Sequence, residues 1–164
     1  ELRETLREEL LKGKVIHDID VLTERVKREN KPVLVYFTGF NVVSSRRLVH
    51  DIFGDIDILN RLKNDVVFIA LYVDDKKELP QDEKFDFLRS NGTIKRVETI
   101  GDKWATLQTV NFENNSQPYY VILNHNMELL NVTNAYESNA NAYFEWLKIG
   151  LENFKAETKE SIFH

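Results

Sequence analysis

The chain contains no cysteine among its 164 residues. Disulfide bonds, thiolate metal sites and thiol catalysis are therefore excluded within this chain. Proline and glycine are sparse, at 3 and 6 residues, and no apolar run approaches the ~20 residues that a membrane-spanning helix needs. Basic residues do not outnumber acidic ones, and the net charge of −5 gives no basic footprint for nucleic acid.

The composition that is present suits one globular domain. Apolar residues make up 42% of the chain and charged residues 30%, and this length can bury a single core. We expect an N-terminal helix or linker over 1–17, a main domain over 18–155 and a polar tail over 156–164. The chain starts at Glu1 without a methionine or a signal peptide, so we expect a fragment or a processed protein.

The segment 31–51 predicts a buried strand, a tight turn and the start of a helix. Residues 33–37 form an unbroken apolar run, which is typical of a central strand covered on both faces. Ser44 and Ser45 are suited to cap the helix that follows. A helix start presents backbone N–H groups and a favourable dipole, and in redox proteins this place carries a Cys-x-x-Cys pair. Positions 42–45 here read Val-Val-Ser-Ser.

The remaining patterns predict an alternation of strands and helices. A second apolar run over 66–73 follows a helical segment capped by Asp55, which implies a strand parallel to the first. Asn91-Gly92 lies between two short apolar runs, the strongest local signal for a β-hairpin. Further predicted elements are helices over 1–12 and 18–29, a helix beginning at Gly101-Asp102, strands over 119–123 and 127–132 joined by a turn at 124–126, and a last helix over 139–154 followed by a frayed tail.

Other chemistry at these residues is disfavoured. Ser44 and Ser45 have no suitably placed base, because His50 lies farther along the same predicted helix. The four histidines do not have metal-ligand spacing. Asp74 and Asp75 lack the ligand pattern of a calcium loop, and we expect them in a solvated loop. We therefore predict neither a metal site nor a cofactor.

Four distinctive stretches cover roughly residues 18 to 155. They are KPVLVYFTGF, RLKNDVVFIALYVDDKKELP, GDKWATLQTVNFENNSQPYYVIL and YFEWLKIGLENF. Together they resemble the C-terminal thioredoxin-like domain of the thiol:disulfide interchange protein DsbD, in the form found in Bacteroidetes-type bacteria. The resemblance implies a thioredoxin-like α/β fold, with a central mixed β-sheet flanked by helices, an inserted β-hairpin and an extra N-terminal helix. It also implies a cis Gln117–Pro118 peptide facing the 42–45 turn, and a periplasmic or envelope-associated location.

The residues that carry the family's chemistry are replaced in this chain. Val42 and Ser45 stand at the two cysteine positions, Tyr36 stands at a buried aspartate, and Val49 stands at a glutamate. Both thiols and both acid–base groups are absent, so we expect the chain neither to reduce nor to oxidise a disulfide. Engineered removal of cysteines would account for Ser45 but not for Tyr36 and Val49, which favours natural divergence.

The resemblance and the replacements together predict a non-catalytic module that binds a protein or peptide. The alternative is a structural domain of a larger membrane thiol:disulfide interchange protein, whose redox cysteines lie in other domains. Adjacent valines at a solvent-facing helix start favour an apolar contact patch. The expected binding surface consists of Phe40, Asn41, Val42, Val43, Ser44, Ser45, Gln117 and Pro118.

Overall fold

A computed structural model describes the chain at residues 27–43, 52, 54–135 and 139–162. The predicted helix over 1–12, most of the helix over 18–29 and the helix start over 44–51 lie outside these residues. Residues 27–29 are helical, and Asn30 follows them in the left-handed region with a φ of 54°. The predicted end of that helix at Asn30 is therefore confirmed, and asparagine is a common residue at such an end.

The centre of the described fold is a mixed three-stranded sheet. Strand β1 (Val33–Thr38) lies between β2 (Val67–Tyr72), to which it is parallel, and β5 (Tyr119–Leu123), to which it is antiparallel. In this register Tyr36 lies opposite Ala70 on one side and Tyr120 on the other. A continuous apolar run forms the middle strand because both faces of the sheet are covered.

A two-stranded hairpin interrupts the alternation of strands and helices. Strands β3 (Phe85–Leu88) and β4 (Ile94–Val97) are antiparallel, as the Asn91-Gly92 pattern predicts. Gly92 has a φ of 87°, a conformation that glycine adopts without steric cost. A short 3₁₀ helix, Gln81–Glu83, precedes the hairpin.

Three α-helices complete the described fold. Helix α1 (Ile56–Asn64) begins at Asp55, whose side chain accepts hydrogen bonds from the backbone N–H groups of Asp57 and Ile58, so its predicted cap is confirmed. Helix α2 (Ile100–Phe112) begins with a capping box between Thr99 and Asp102. Helix α3 spans Ala140–Ile162.

The sheet separates two apolar clusters, because successive side chains of a strand point to opposite faces. Leu34 and Tyr36 of β1 belong to the cluster beneath α1 and α3, whereas Val33 and Phe37 belong to the cluster beneath α2 and the hairpin. The mixed sheet with helices on both faces confirms the predicted fold class.

Two predicted boundaries are wrong. Helix α3 continues past Phe154 to Ile162 and is not frayed from Lys155 onward, because no glycine or proline interrupts 155–162 and the residues there favour helix. The predicted strand over 127–132 is reduced to isolated bridges, Leu123 with Leu129 and Tyr120 with Asn134.

The physical reason for the missing strand is competition for its backbone groups. Trp146 donates its indole N–H to the carbonyl of Val132 at 2.7 Å, and Asn153 donates to the carbonyl of Leu130 at 2.7 Å. The side-chain oxygen of Asn131 accepts the N–H of Val132 at 2.8 Å. Groups that a regular ladder needs are therefore bound by side chains instead.

Candidate functional site

The candidate site lies at one edge of the central sheet, where two segments of the chain meet. Strands β1 and β5 are antiparallel and Phe37 lies opposite Tyr119, so the end of β1 and the beginning of β5 share this edge. The turn over 39–43 follows the end of β1, and Gln117 and Pro118 precede the beginning of β5.

The turn is held by Asp74, which follows β2. Its two carboxylate oxygens accept the backbone N–H of Phe40 at 2.9 Å and of Asn41 at 3.1 Å. A carboxylate that accepts two backbone N–H groups makes charge-assisted bonds, which are stronger than neutral ones. The expectation of a solvated Asp74-Asp75 pair is therefore wrong: Asp74 is half-buried on the turn, and Asp75 is buried and accepts the N–H of Lys77 at 3.0 Å.

Gly39 is required by the tightness of this turn. A Cβ atom at Gly39 would lie 2.7 Å from Cγ2 of Val42 and 3.0 Å from Oδ2 of Asp74. Real Cβ contacts are essentially never as short as 2.7 Å, so the side chain of Val42 would have to shift, and the 3.0 Å approach would crowd the carboxylate of Asp74.

The outer side of the turn is apolar. The ring of Phe40 stacks on the ring of Tyr72, with centroids 4.2 Å apart and an interplanar angle of 18°, yet 39% of Phe40 stays exposed. Val43 is 64% exposed and Asn41 is also exposed, whereas Val42 is half-buried. Ser44 and Ser45, which complete the predicted surface, lie outside the described residues.

One buried side chain of α2 forms hydrogen bonds that hold the loop leading into β5. Gln108 is 0% exposed. Its Nε2 donates to Oδ1 of Asn114 at 3.1 Å and to the carbonyl oxygen of Ser116 at 2.8 Å, and its Oε1 accepts from Nε2 of Gln117 at 2.9 Å. One amide thus contacts three of the loop's residues, with both its donor and its acceptor groups in use.

The Gln117–Pro118 peptide bond is cis, the isomer that the resemblance implies. Pro118 is buried and Gln117 is half-buried, so Asn115 and Ser116 are the exposed residues of this loop. Of the two residues predicted for the binding surface here, Gln117 contributes the accessible part.

Tyr36 lies beneath the site in a cluster of buried aromatic side chains. Its ring stacks on Tyr120 with centroids 4.9 Å apart and an interplanar angle of 5°, and Tyr120 meets Tyr143 edge-on at 5.0 Å. The hydroxyl of Tyr36 accepts a hydrogen bond from Thr38 at 3.0 Å. Burial first, and then the neighbouring tyrosines, raise the pKa of Tyr120 and of Tyr143 well above the ordinary value. These groups stay protonated and neutral near pH 7.

His125 is the histidine that the described part of the chain contains. It packs edge-on against Phe154 with centroids 5.1 Å apart. Burial first, and then the charge of Lys27, lower the pKa of His125, while Glu157 opposes the change. Among the described residues no group of three or more histidine, aspartate or glutamate side chains converges as metal ligands would. No helix within the described ranges has the length and apolar character of a membrane span.

No family model and no curated protein matches the chain. Among solved structures the chain is similar to one described as "DsbH Oxidoreductase", with 14% identity and a TM-score of 0.58 over 80% of this chain and 79% of that chain. The fold is thioredoxin-like. The chain is also similar to a disulphide isomerase from Xylella fastidiosa Temecula1, with 13% identity and a TM-score of 0.49 over 90% of this chain and 93% of that chain.

Sequence reasoning missed two residues that shape the site, Asp74 and Gln108. The available signal for Asp74 is its position directly after a strand parallel to β1, which puts it at the same sheet edge as the turn. Gln108 lies within the GDKWATLQT stretch, but its spacing did not reveal the loop contacts. The chain has no thiol, and the arrangement presents backbone held by Asp74 and the partly exposed side chains of Phe40 and Val43.

Proposed function

We propose that this chain is a redox-inactive thioredoxin-like module that binds an extended segment of a partner protein. The binding surface consists of Phe40–Val43 and Gln117, together with Ser44 and Ser45, which follow Val43 in the sequence. The observation that carries the proposal is the exposure of Phe40 and Val43 on a turn that Asp74 fixes from the neighbouring strand.

The apolar exposure is best explained by a binding role. Val43 is 64% exposed and Phe40, three residues earlier, is 39% exposed. Large apolar side chains grouped on a fixed surface are typical of contact sites for other proteins. Preorganisation of the turn lowers the entropy that a partner loses in ordering it on binding.

The absence of redox activity is supported by two features of the chain. It has no cysteine, so no thiolate can attack a disulfide. Tyr36, at the position where the resemblance implies a buried acid, is packed in an aromatic cluster. In an insulin-reduction assay with dithiothreitol as the reductant, the chain is expected to give the background rate. Turnover above that rate would overturn this part of the proposal.

Binding is tested with peptides selected on the immobilised full chain from a random phage-displayed library. The affinity of a selected, fluorescein-labelled peptide is then measured by anisotropy. Val43→Glu is expected to weaken binding about tenfold or more, because a charge then enters the apolar contact. Val132→Glu is the matched control, since Val132 is 75% exposed on a different part of the surface. Equal loss in both variants, or no selectable peptide, would contradict the proposal.

We also propose kinship with the DsbD family and an envelope location, on the strength of the four sequence stretches that resemble that family. Fractionation of cells that express the full-length gene product tests the location. Recovery of the protein with the cytoplasmic fraction alone would refute it. Cysteine-bearing membrane helices in that gene product would instead favour the structural-domain alternative.

A further inference from the structure

A groove of about 870 Å³ lies between the β-hairpin and the outer face of α2. Phe87 and Leu88 line its hairpin side, and Thr106 and Val110 line its helix side. Leu88 is 67% exposed and Val110 is 54% exposed. The lining also includes Asn114 and Asn115 of the loop that precedes β5, but it does not include Phe40 or Val43.

In the described part of the chain, the hairpin has cations outside this groove that form ion pairs and cations in its lining that do not. Outside it, Lys84 pairs with Glu78 at 2.6 Å and Arg96 pairs with Asp86 at 3.2 Å. These cations are therefore neutralised within the protein by neighbouring carboxylates.

Inside the groove the cations are left without carboxylates. Arg89 and Lys95 both line it. Within the described ranges neither forms an ion pair, and Arg89 instead bonds the hydroxyl of Thr93 at 3.4 Å. Glu113 is the acidic residue of the lining, so Arg89 and Lys95 leave the lining with one net positive charge. A chain with a net charge of −5 thus keeps a locally positive, partly apolar groove.

This combination selects one kind of occupant. Carboxylates complement Arg89 and Lys95, and electrostatic complementarity of this kind fixes the orientation and register of a partner. Phe87 shares the hairpin face of the buried Val97, and Val110 is exposed on α2, so both offer apolar contacts that a phosphate backbone does not use. An extended polypeptide meets both needs, because its side chains alternate between two faces.

We propose that the groove binds an extended acidic and apolar segment of a partner protein. Its carboxylates lie against Arg89 and Lys95, and its apolar side chains lie against Phe87 and Val110. This site is centred on the hairpin and α2, whereas the binding surface of the proposed function is centred on Phe40 and Val43.

The test uses a fluorescein-labelled peptide of roughly ten residues in which glutamate alternates with leucine, a length that spans about 30 Å when extended. Anisotropy with the full chain is expected to show saturable binding that weakens as salt is added. A peptide with glutamine in place of every glutamate is expected to bind about tenfold more weakly.

Matched charge reversals locate the binding. The double variant Arg89→Glu and Lys95→Glu is expected to bind the acidic peptide about tenfold or more weakly than wild type. The control carries Lys148→Glu and Lys155→Glu, which change the net charge equally at exposed positions of α3. Val110→Ser tests the apolar wall separately, and circular dichroism verifies that each variant is folded.

Several outcomes would overturn the proposal. These are no binding of the acidic peptide, equal binding of the glutamine peptide, or equal losses in the groove and control variants. Sedimentation that shows a dimer disrupted by the groove variant would assign the groove to a second copy of the chain instead. Preferential binding of a single-stranded oligonucleotide would assign it to nucleic acid. Val43→Glu is expected to leave binding of the acidic peptide unchanged, which keeps this test distinct from that of the proposed function.

Discussion

The side-chain amide of Gln117 donates a hydrogen bond of 2.9 Å to the side-chain oxygen of Gln108. Gln117 belongs to the loop at the candidate site, whereas Gln108 is a fully buried residue of α2. The buried Gln108 thus positions the partly accessible Gln117. The candidate site therefore depends on α2, although no residue of α2 belongs to it.

Substitution of Gln108 is expected to destabilise the protein and to loosen the loop. Gln108→Leu removes one hydrogen bond each from Asn114, Ser116 and Gln117, and the lost donor to the Ser116 carbonyl is expected to cost about 1–3 kcal/mol in the free energy of unfolding. Denaturant unfolding measures the loss. Gln81→Leu, at an exposed position, is the control. Equal small effects of the two changes would contradict the role given to Gln108.

Asp74→Ala is expected to destabilise the turn after β1. It removes both acceptors of the Phe40 and Asn41 N–H groups, and hydrogen bonds to a charged group contribute about 1.5–3 kcal/mol. Hydrogen exchange at these two amides is expected to accelerate more than exchange in β1. Glu152→Ala, at an exposed position of α3, should change neither rate. Unchanged exchange at Phe40 in the Asp74 variant would show that the turn does not need the carboxylate.

Gly101→Ala is expected to destabilise the protein more than Gly150→Ala. A Cβ at Gly101 would lie 2.6–2.8 Å from backbone atoms of Val73 and Asp75, whereas one at Gly150 would meet the side chain of Ile122 at 2.9 Å. Backbone cannot move aside as a side chain can, and overpacking typically costs about 1–3 kcal/mol. Thermal and denaturant unfolding of the two variants decide the order. The reverse order would refute the close packing of α2 on the loop after β2.

Alkaline pH is expected to destabilise the protein through its buried tyrosines. Burial first raises the folded-state pKa of Tyr120 and Tyr143 above the ordinary value of 10.0. The folded state therefore favours the protonated form. This contribution to stability is complete below about pH 10 and is lost as pH rises from there toward the folded-state pKa.

Tyr120→Phe separates this effect from other alkaline titrations. The variant keeps the ring contacts but loses one ionisable hydroxyl, so its free energy of unfolding should fall less steeply above pH 10 than that of wild type. Near neutral pH the difference between the two proteins should be constant. Parallel curves over the whole alkaline range would exclude Tyr120 as a contributor.

Much of the fold follows from local patterns in the sequence. The apolar run of β1, the Asn91-Gly92 turn and the Asp55 cap each predict an element at the place where the structure has it. These features depend on neighbouring residues alone, because burial on both faces, positive φ and capping all leave a local signature.

Two of the misses depend on distant residues. The segment over 127–132 has the composition of a strand, but its carbonyl groups are bound by Trp146 and Asn153 of α3. Asp74 appears as a loop carboxylate until β2 is placed beside β1. These hydrogen bonds join residues that are distant in the sequence and meet only after the elements have packed, so a local sequence pattern does not predict them.

The buried amide of Gln108 has a consequence for how this protein and its relatives diverge. A single side chain on α2 forms hydrogen bonds with Asn114, Ser116 and Gln117. Substitutions in the loop and at this helix position are therefore expected to depend on each other. A homologue that replaces Gln108 is expected to replace Asn114 and Gln117 as well. Covariation of these positions would then show that the shape of the loop is inherited together with its buried contact to α2.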